Sequence, residues 1–282
     1  MIRIIGILAG LFFALGVLWS FVTGAFTAAT EGFGEETAEH AFHEHPLDLE
    51  LSSDGPLGTW DVPQLQRGFK VYQEVCSACH GLQYVAFRDL ADLEYTEAEI
   101  KAIAAQFQVP GIDPDTGESV LRAATPTDYI PSPYPNAVAA AAANNNAIPP
   151  DLSLITKARH DGSAYVYSLL VGYSAIPEEL KAEFPDFSTP PGLYYNRYFP
   201  NLNLAMAPPL TSDGQVTYEG GSPTIAQMSE DVAAFLTWTA EPTMAERKAV
   251  GWPVLGFLLF ATILAWLAKK QIWSSIKPSR KD

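Results

Sequence analysis

Residues 67–82 read RGFKVYQEVCSACHGL, and the run Cys76-Ser77-Ala78-Cys79-His80 at their centre decides the fold to expect. The spacing is C-x-x-C-H, the attachment pattern of a c-type haem. Two thiols three residues apart each add to one vinyl group of a single haem, and the next residue brings its imidazole to the iron. The chain has no other cysteine, so one motif implies one covalent haem c. Upstream, Leu65, Phe69, Tyr72 and Cys76 recur at i, i+4, i+7 and i+11, which predicts a helix with one apolar face. Asp61 is placed to cap it.

Three other readings of the cysteines are weaker. A structural disulfide leaves His80 without a role. A thioredoxin-like redox pair needs a surrounding βαβ pattern, which is absent. A zinc site needs a second Cys or His pair at ligand spacing.

An iron held by His80 needs a sixth partner. The candidates are Met206, Met228, Met244, His160 and the strip His40, His43, His45. Met228 lies in an amphipathic helical stretch and reads as core. Met244 sits beside an apolar run. Met206 precedes Ala207-Pro208-Pro209, which stiffen the chain next to it, and a His/Met pair raises a haem's potential. The histidine strip reads as a solvated segment.

The 282 residues carry a formal net charge of −15, and only 17% are charged. That share is below the ~25% of ordinary soluble domains, and the cause is local. Ile4 to Phe26 and Val250 to Ala268 are uncharged runs of 23 and 19 residues. Each is long enough to cross a bilayer as a helix. Lys269, Lys270, Lys277, Arg280 and Lys281 follow the second run, so the positive-inside rule predicts a cytoplasmic tail. Trp252, Trp266 and Trp273 lie near its ends, and Pro253 is expected in its first turn. The first run, with Arg3 before it and Thr27-Ala28-Ala29 after it, reads as a retained anchor or a cleaved signal.

The expected organisation is therefore a signal or anchor over 1–29, a periplasmic haem domain over 30–245, a transmembrane helix over 246–269 and a basic tail over 270–282. Residues 30–245 hold nine basic and 30 acidic side chains, net −21. Such a surface excludes a nucleic-acid binder and would steer a basic protein partner.

Within the haem domain, 31–60 reads as an extended lead-in. Helices are expected over 61–76, over 96–108 behind a Thr96/Glu99 capping box, over Ala137–Ala143 ahead of Asn144-Asn145-Asn146, over Ser163–Tyr173 and over Thr224–Thr239. Residues 109–136 and 174–222 read as loops. Strand signals are weak, so the class is mainly α.

The longer blocks resemble cytochrome c1, the haem c subunit of the cytochrome bc1 complex, of a bacterial type. The likeness runs through RGFKVYQEVCSACHGL, VAFRDL, NNNAIPPDLSLITKARHDGSAYVYSLLVGY, GLYYNRYFPNLNLAMAPPL and DVAAFLTWTAEPTMAERKAVG. It implies Met206 as the sixth ligand, Arg159 facing a haem propionate, Tyr165 in the same haem-edge region, and Asn145, Pro149 and Pro150 in a loop against the haem. It also implies that Gly68 and Tyr72 form the small/aromatic pair at which two helices cross. The implied role is to pass one electron from a Rieske iron–sulfur protein to a cytochrome c, with cytochrome b and the lipid bilayer as further partners. Asp89, Asp92, Glu94, Glu97 and Glu99 are a candidate docking patch. An oxidase-bound cytochrome c or a periplasmic thiol–disulfide protein are the competing functions. The Ala/Asn tract, the 174–190 region and the long N-terminal run depart from the family's pattern.

Overall fold

A computed structural model of the chain describes residues 2–31, 37–274 and 276. The expectations for Lys277, Arg280 and Lys281 lie outside the described residues. Helix dominates, as expected. Backbone packing divides the chain into two units, one of residues 1–43 and 176–187, the other of 44–175 and 188–282.

The first unit contains helix α1 (Ile2–Glu31), the short helix α2 (Ala38–Phe42) inside the segment expected to be extended, and a further helix at Glu178–Glu183. Thr37 caps α2 through His40 N, and Phe42 meets Phe184 edge to face at 6.1 Å. α1 is apolar along its length and exposed.

The second unit is built on a crossing of two helices. α3 (Val62–Glu74) starts where Asp61 Oδ1 accepts from Gln64 N at 3.2 Å, with a proline in the first turn. Its sequel is a 3-10 turn at Cys76–Ala78, then β1 (Leu82–Ala86) and a second 3-10 stretch at Phe87–Leu93. α4 (Glu97–Ala104) carries the expected Thr96/Glu99 capping box. It ends four residues early, because Gln108–Ile112 (β2) turns back as a hairpin with Ser119–Ala123 (β3). Asp113 makes the turn, its Oδ1 accepting from Asp115 N and Thr116 N. This corrects the loop expected over 109–136. Pro110 and Gly111, both disfavoured in strands, hide the strand pattern.

β4 (Tyr129–Ile130) pairs with β1. α5 (Ala137–Ala143) falls where expected and stops at Asn144, whose Nδ2 donates to Ala140 O at 2.7 Å. α6 (Ile155–Ala158) and α7 (Gly162–Val171) follow. With Glu178–Glu183 counted as α8, the remaining elements are β5 (Tyr194–Tyr195), β6 (Asn203–Leu204), α9 (Ile225–Ala240) and α10 (Met244–Trp273).

α9 is the spine, against which α3, α6 and α7 all pack. Phe235 lies at its centre, 5.5 Å from Phe69, 5.8 Å from Tyr72 and 5.7 Å from Trp238 between ring centroids. All four are sealed from solvent. Burying Phe69 or Phe235 is worth roughly 2–3 kcal/mol. Gly68 permits the approach, since a Cβ there would collide with the Asp231 carbonyl and lie 2.7 Å from Phe235 Cβ. The buried Asp231 carboxylate accepts from Arg67 at 3.1 and 3.2 Å and from Gln227 at 3.0 Å, tying the two helices beside the crossing.

α10 is apolar, exposed and 30 residues long, about 45 Å of helix against a ~30 Å hydrocarbon core. It starts before the uncharged run, because Ala245 to Lys248 are good helix formers. Pro253 is therefore inside the helix and not in its first turn. Only three residues separate α10 from α9. Three bonds hold its base to the segment before α3: Lys248 Nζ to Ser53 O (2.6 Å), Trp252 Nε1 to Pro56 O (3.4 Å) and Trp60 Nε1 to Pro242 O (3.2 Å).

Candidate haem site

The motif residues sit where α3 tightens. Val75 leaves helical geometry, and the N–H groups of Cys79 and His80 both donate to Cys76 O, at 3.1 and 2.9 Å. Both cysteines are free and half-buried. Tyr134 directs its hydroxyl to Cys79 Sγ at 3.7 Å. Burial, reinforced by the neighbouring Cys79, pushes the Cys76 thiol up to about 12. A redox-reactive pair needs the opposite shift, toward a thiolate.

His80 is oriented by two contacts. Its Nδ1 lies 2.7 Å from Pro150 O. A carbonyl can only accept, so the proton is on Nδ1 and Nε2 keeps its lone pair. Its own carbonyl accepts from the Tyr72 hydroxyl at 2.8 Å. Burial lowers the imidazole pKa, outweighing the pull of Pro150 O and Asp151, which favours the neutral ring a metal requires.

The loop carrying Pro149 and Pro150 runs along the motif. Leu152 N donates to Gly81 O, Gln83 N to Asp151 Oδ2 and Tyr84 N to Ser153 Oγ. Asn145 enters this loop with φ 52°, its side chain against Gly192.

Met206 is half-buried and packs against the same core as Cys76. It lies between two buried leucines, Leu204 and Leu210. Arg159 is exposed and reaches the Tyr165 hydroxyl, offsetting part of the upward shift that burial imposes on that phenol. Of the other ligand candidates, Met228 is sealed in the core, Met244 opens α10, and the His160 side chain is 99% exposed beside Asp161. His40 and His43 belong to the other unit.

The acidic patch is partly spent on local structure. Glu99 caps α4, Glu97 pairs with Lys101 at 2.7 Å, and Asp89 accepts from Ala86 N at 2.8 Å. Sequence reasoning missed Tyr134 and Tyr173; the latter donates to Met206 O at 3.0 Å. Nothing in their spacing marks them.

These residues fit a c-type haem. Two free thiols share one turn, an imidazole has its second nitrogen open, and a thioether lies at the rim of the same core. A motif-bearing first helix that crosses the last helix of the domain at a glycine defines a c-type cytochrome. The chain belongs to the cytochrome c1 family, whose model matches residues 51–276. It is 45% identical over 247 residues to Cytochrome b/c1 of Bradyrhizobium diazoefficiens, a match covering 82% of this chain and 36% of that longer one. It is 45% identical over 233 residues to cytochrome c1 of Rhodospirillum rubrum, covering 79% and 85% of the two chains. A mitochondrial cytochrome c1 heme protein of Arabidopsis thaliana is 42% identical over 269 residues, covering 95% and 84%.

Proposed function

We propose that this chain is the haem c subunit of a ubiquinol–cytochrome c reductase, taking one electron from a Rieske iron–sulfur protein and passing it to a cytochrome c. The observation that carries this reading is the His80 turn, set by Pro150 just past the end of α3, in a chain matched by the cytochrome c1 family. Cys76 and Cys79 would hold one haem covalently, and His80 and Met206 would supply its protein ligands. The haem, when bound, supplies a one-electron iron couple. The chain does the rest. Pro150 O fixes the His80 tautomer, the core excludes water from the motif's inner side, and Arg159, with the Tyr165 hydroxyl beside it, would offer a cation to a propionate. Asn145, Pro149 and Pro150 would form the loop against the haem, Pro150 through its carbonyl on His80.

α10 anchors the domain in a bacterial inner membrane, with the domain in the periplasm and the basic tail in the cytoplasm. Cytochrome b is the expected neighbour in the bilayer, a reading supported by the Bradyrhizobium relative, which is named cytochrome b/c1. The net −21 of the haem domain favours a basic acceptor cytochrome.

A pyridine haemochrome spectrum of the purified chain after acid–acetone extraction tests this. The expected result is one c-type haem per chain, resistant to extraction, in a preparation that also contains cytochrome b. A chain that keeps no c-type haem after extraction would overturn the reading. Association with an oxidase core would favour the oxidase-bound alternative.

Arg159→Gln tests the propionate wall. It should lower the midpoint potential, because a cation that disfavours the ferric state is lost while both ligands stay. The shift should be several-fold smaller than that from removing an axial ligand. An unchanged potential in redox titration would free Arg159 of this role.

A further inference from the structure

Met206 has no secondary structure of its own to hold it. β6 ends at Leu204, and the following Ala207-Pro208-Pro209 offers two residues without an N–H. The loop is instead pinned from outside. Downstream, Gln215 Nε2 donates to Pro209 O at 2.8 Å while its Oε1 accepts from Thr211 N at 2.8 Å. At the methionine itself the pin is Tyr173, whose hydroxyl donates to Met206 O at 3.0 Å.

Tyr173 is in turn rigidly placed. It follows Gly172 at the C-terminus of α7, and its backbone bridges to Asn196. Asn196 is fully buried; its Nδ2 donates to Leu169 O at 2.8 Å, satisfying a carbonyl of the last turn of α7. Gly172 leaves room for this knot, since a Cβ there would stand 2.5 Å from the Tyr198 ring and 2.9 Å from Asn196 Oδ1. The chain from α7 through Tyr173 to Met206 is thus a connected strut, and α7 packs on the α9 spine.

We propose that Tyr173 is a positioning residue for Met206, its hydroxyl holding the backbone of the sixth ligand at a fixed distance from the face of the domain that carries His80. This rests on the reading of Met206 as that ligand. An iron–thioether bond is weak and is kept by geometry, not by affinity, so a loop freed at the methionine carbonyl gives the sulfur room to leave. The hydroxyl contributes one hydrogen bond and no contact with the iron, which separates its effect from that of the ligand.

The test is Tyr173→Phe in the full-length chain, in its complex. Phenylalanine keeps the ring and removes only the donor to Met206 O. Expected results are unchanged covalent haem and helix content, a lowered midpoint potential, a weakened methionine–ferric iron charge-transfer band, and several-fold greater carbon monoxide binding by the reduced protein. Met206→Leu is run beside it. If Met206→Leu alters potential, band and carbon monoxide binding but Tyr173→Phe alters none, the strut is overturned and the ligand reading stands. If Met206→Leu leaves all three unchanged, the ligand reading fails and the strut with it.

Discussion

Met206→Leu is expected to leave the haem attached and to lower its midpoint potential by on the order of 0.2 V, a fraction of the ~0.8 V that axial ligands span. Attachment survives because Cys76, Cys79 and His80 are held by the end of α3 and by Pro150, not by the Met206 loop. The fold survives because leucine and methionine have similar volume, and such swaps usually cost under ~1.5 kcal/mol. What is lost is the neutral thioether, which stabilises ferrous over ferric iron. Redox titration with parallel haem staining after denaturing electrophoresis measures both halves. An unchanged potential would move the ligand elsewhere.

The second large effect is expected from the smallest substitution. Gly68→Ala in an ordinary helix gains ~1 kcal/mol. Here it should cost about 3 kcal/mol, the upper range for overpacking. The added methyl meets the Asp231 carbonyl, which is backbone and has no rotamer to yield. Relief requires parting α3 and α9, and that would stretch the Arg67–Asp231 bonds and unseat Phe235 from Phe69 and Tyr72. For a domain of this size the melting temperature should fall by about 6–12 °C. Thermal melts followed by circular dichroism would show it, and a rise would mean that the helices do not touch at Gly68. Because α3 ends in the motif, haem loading during biogenesis should fall with stability.

The sequence makes the helical half of this fold easy to read, since each helix carries its own marks. Asp61 before α3, the Thr96/Glu99 box before α4 and the three asparagines after α5 are local signals, and the structure places all three helix ends within a residue or two of them. The β2–β3 hairpin is hidden because Pro110 and Gly111 occupy strand positions that the pairing to Leu121 and Val120 nonetheless accepts. α10 runs past the expected 246–269 at both ends, from Met244 to Trp273, because hydropathy marks the membrane-length run while the helix extends wherever backbone bonds can.

At the site, the motif identifies its own residues, because thioether attachment and ligation constrain neighbours in the chain. Tyr173 and Tyr134 act across 33 and 55 residues. Tyrosine among twelve tyrosines carries no such signature. The bond from His80 Nδ1 to Pro150 O is of the same kind, although resemblance had already put Pro150 nearby.

The three bonds from Ser53, Pro56 and Trp60 to the root of α10 bear on how far the domain can swing about that helix. A redox domain on a slack tether sweeps a volume and meets its partners by diffusion. This one stands as a fixed post, because the linker from α9 is three residues and the opposite side is stapled at Lys248, Trp252 and Pro242. In the role proposed above, the travel between electron donor and acceptor would therefore fall to the partners.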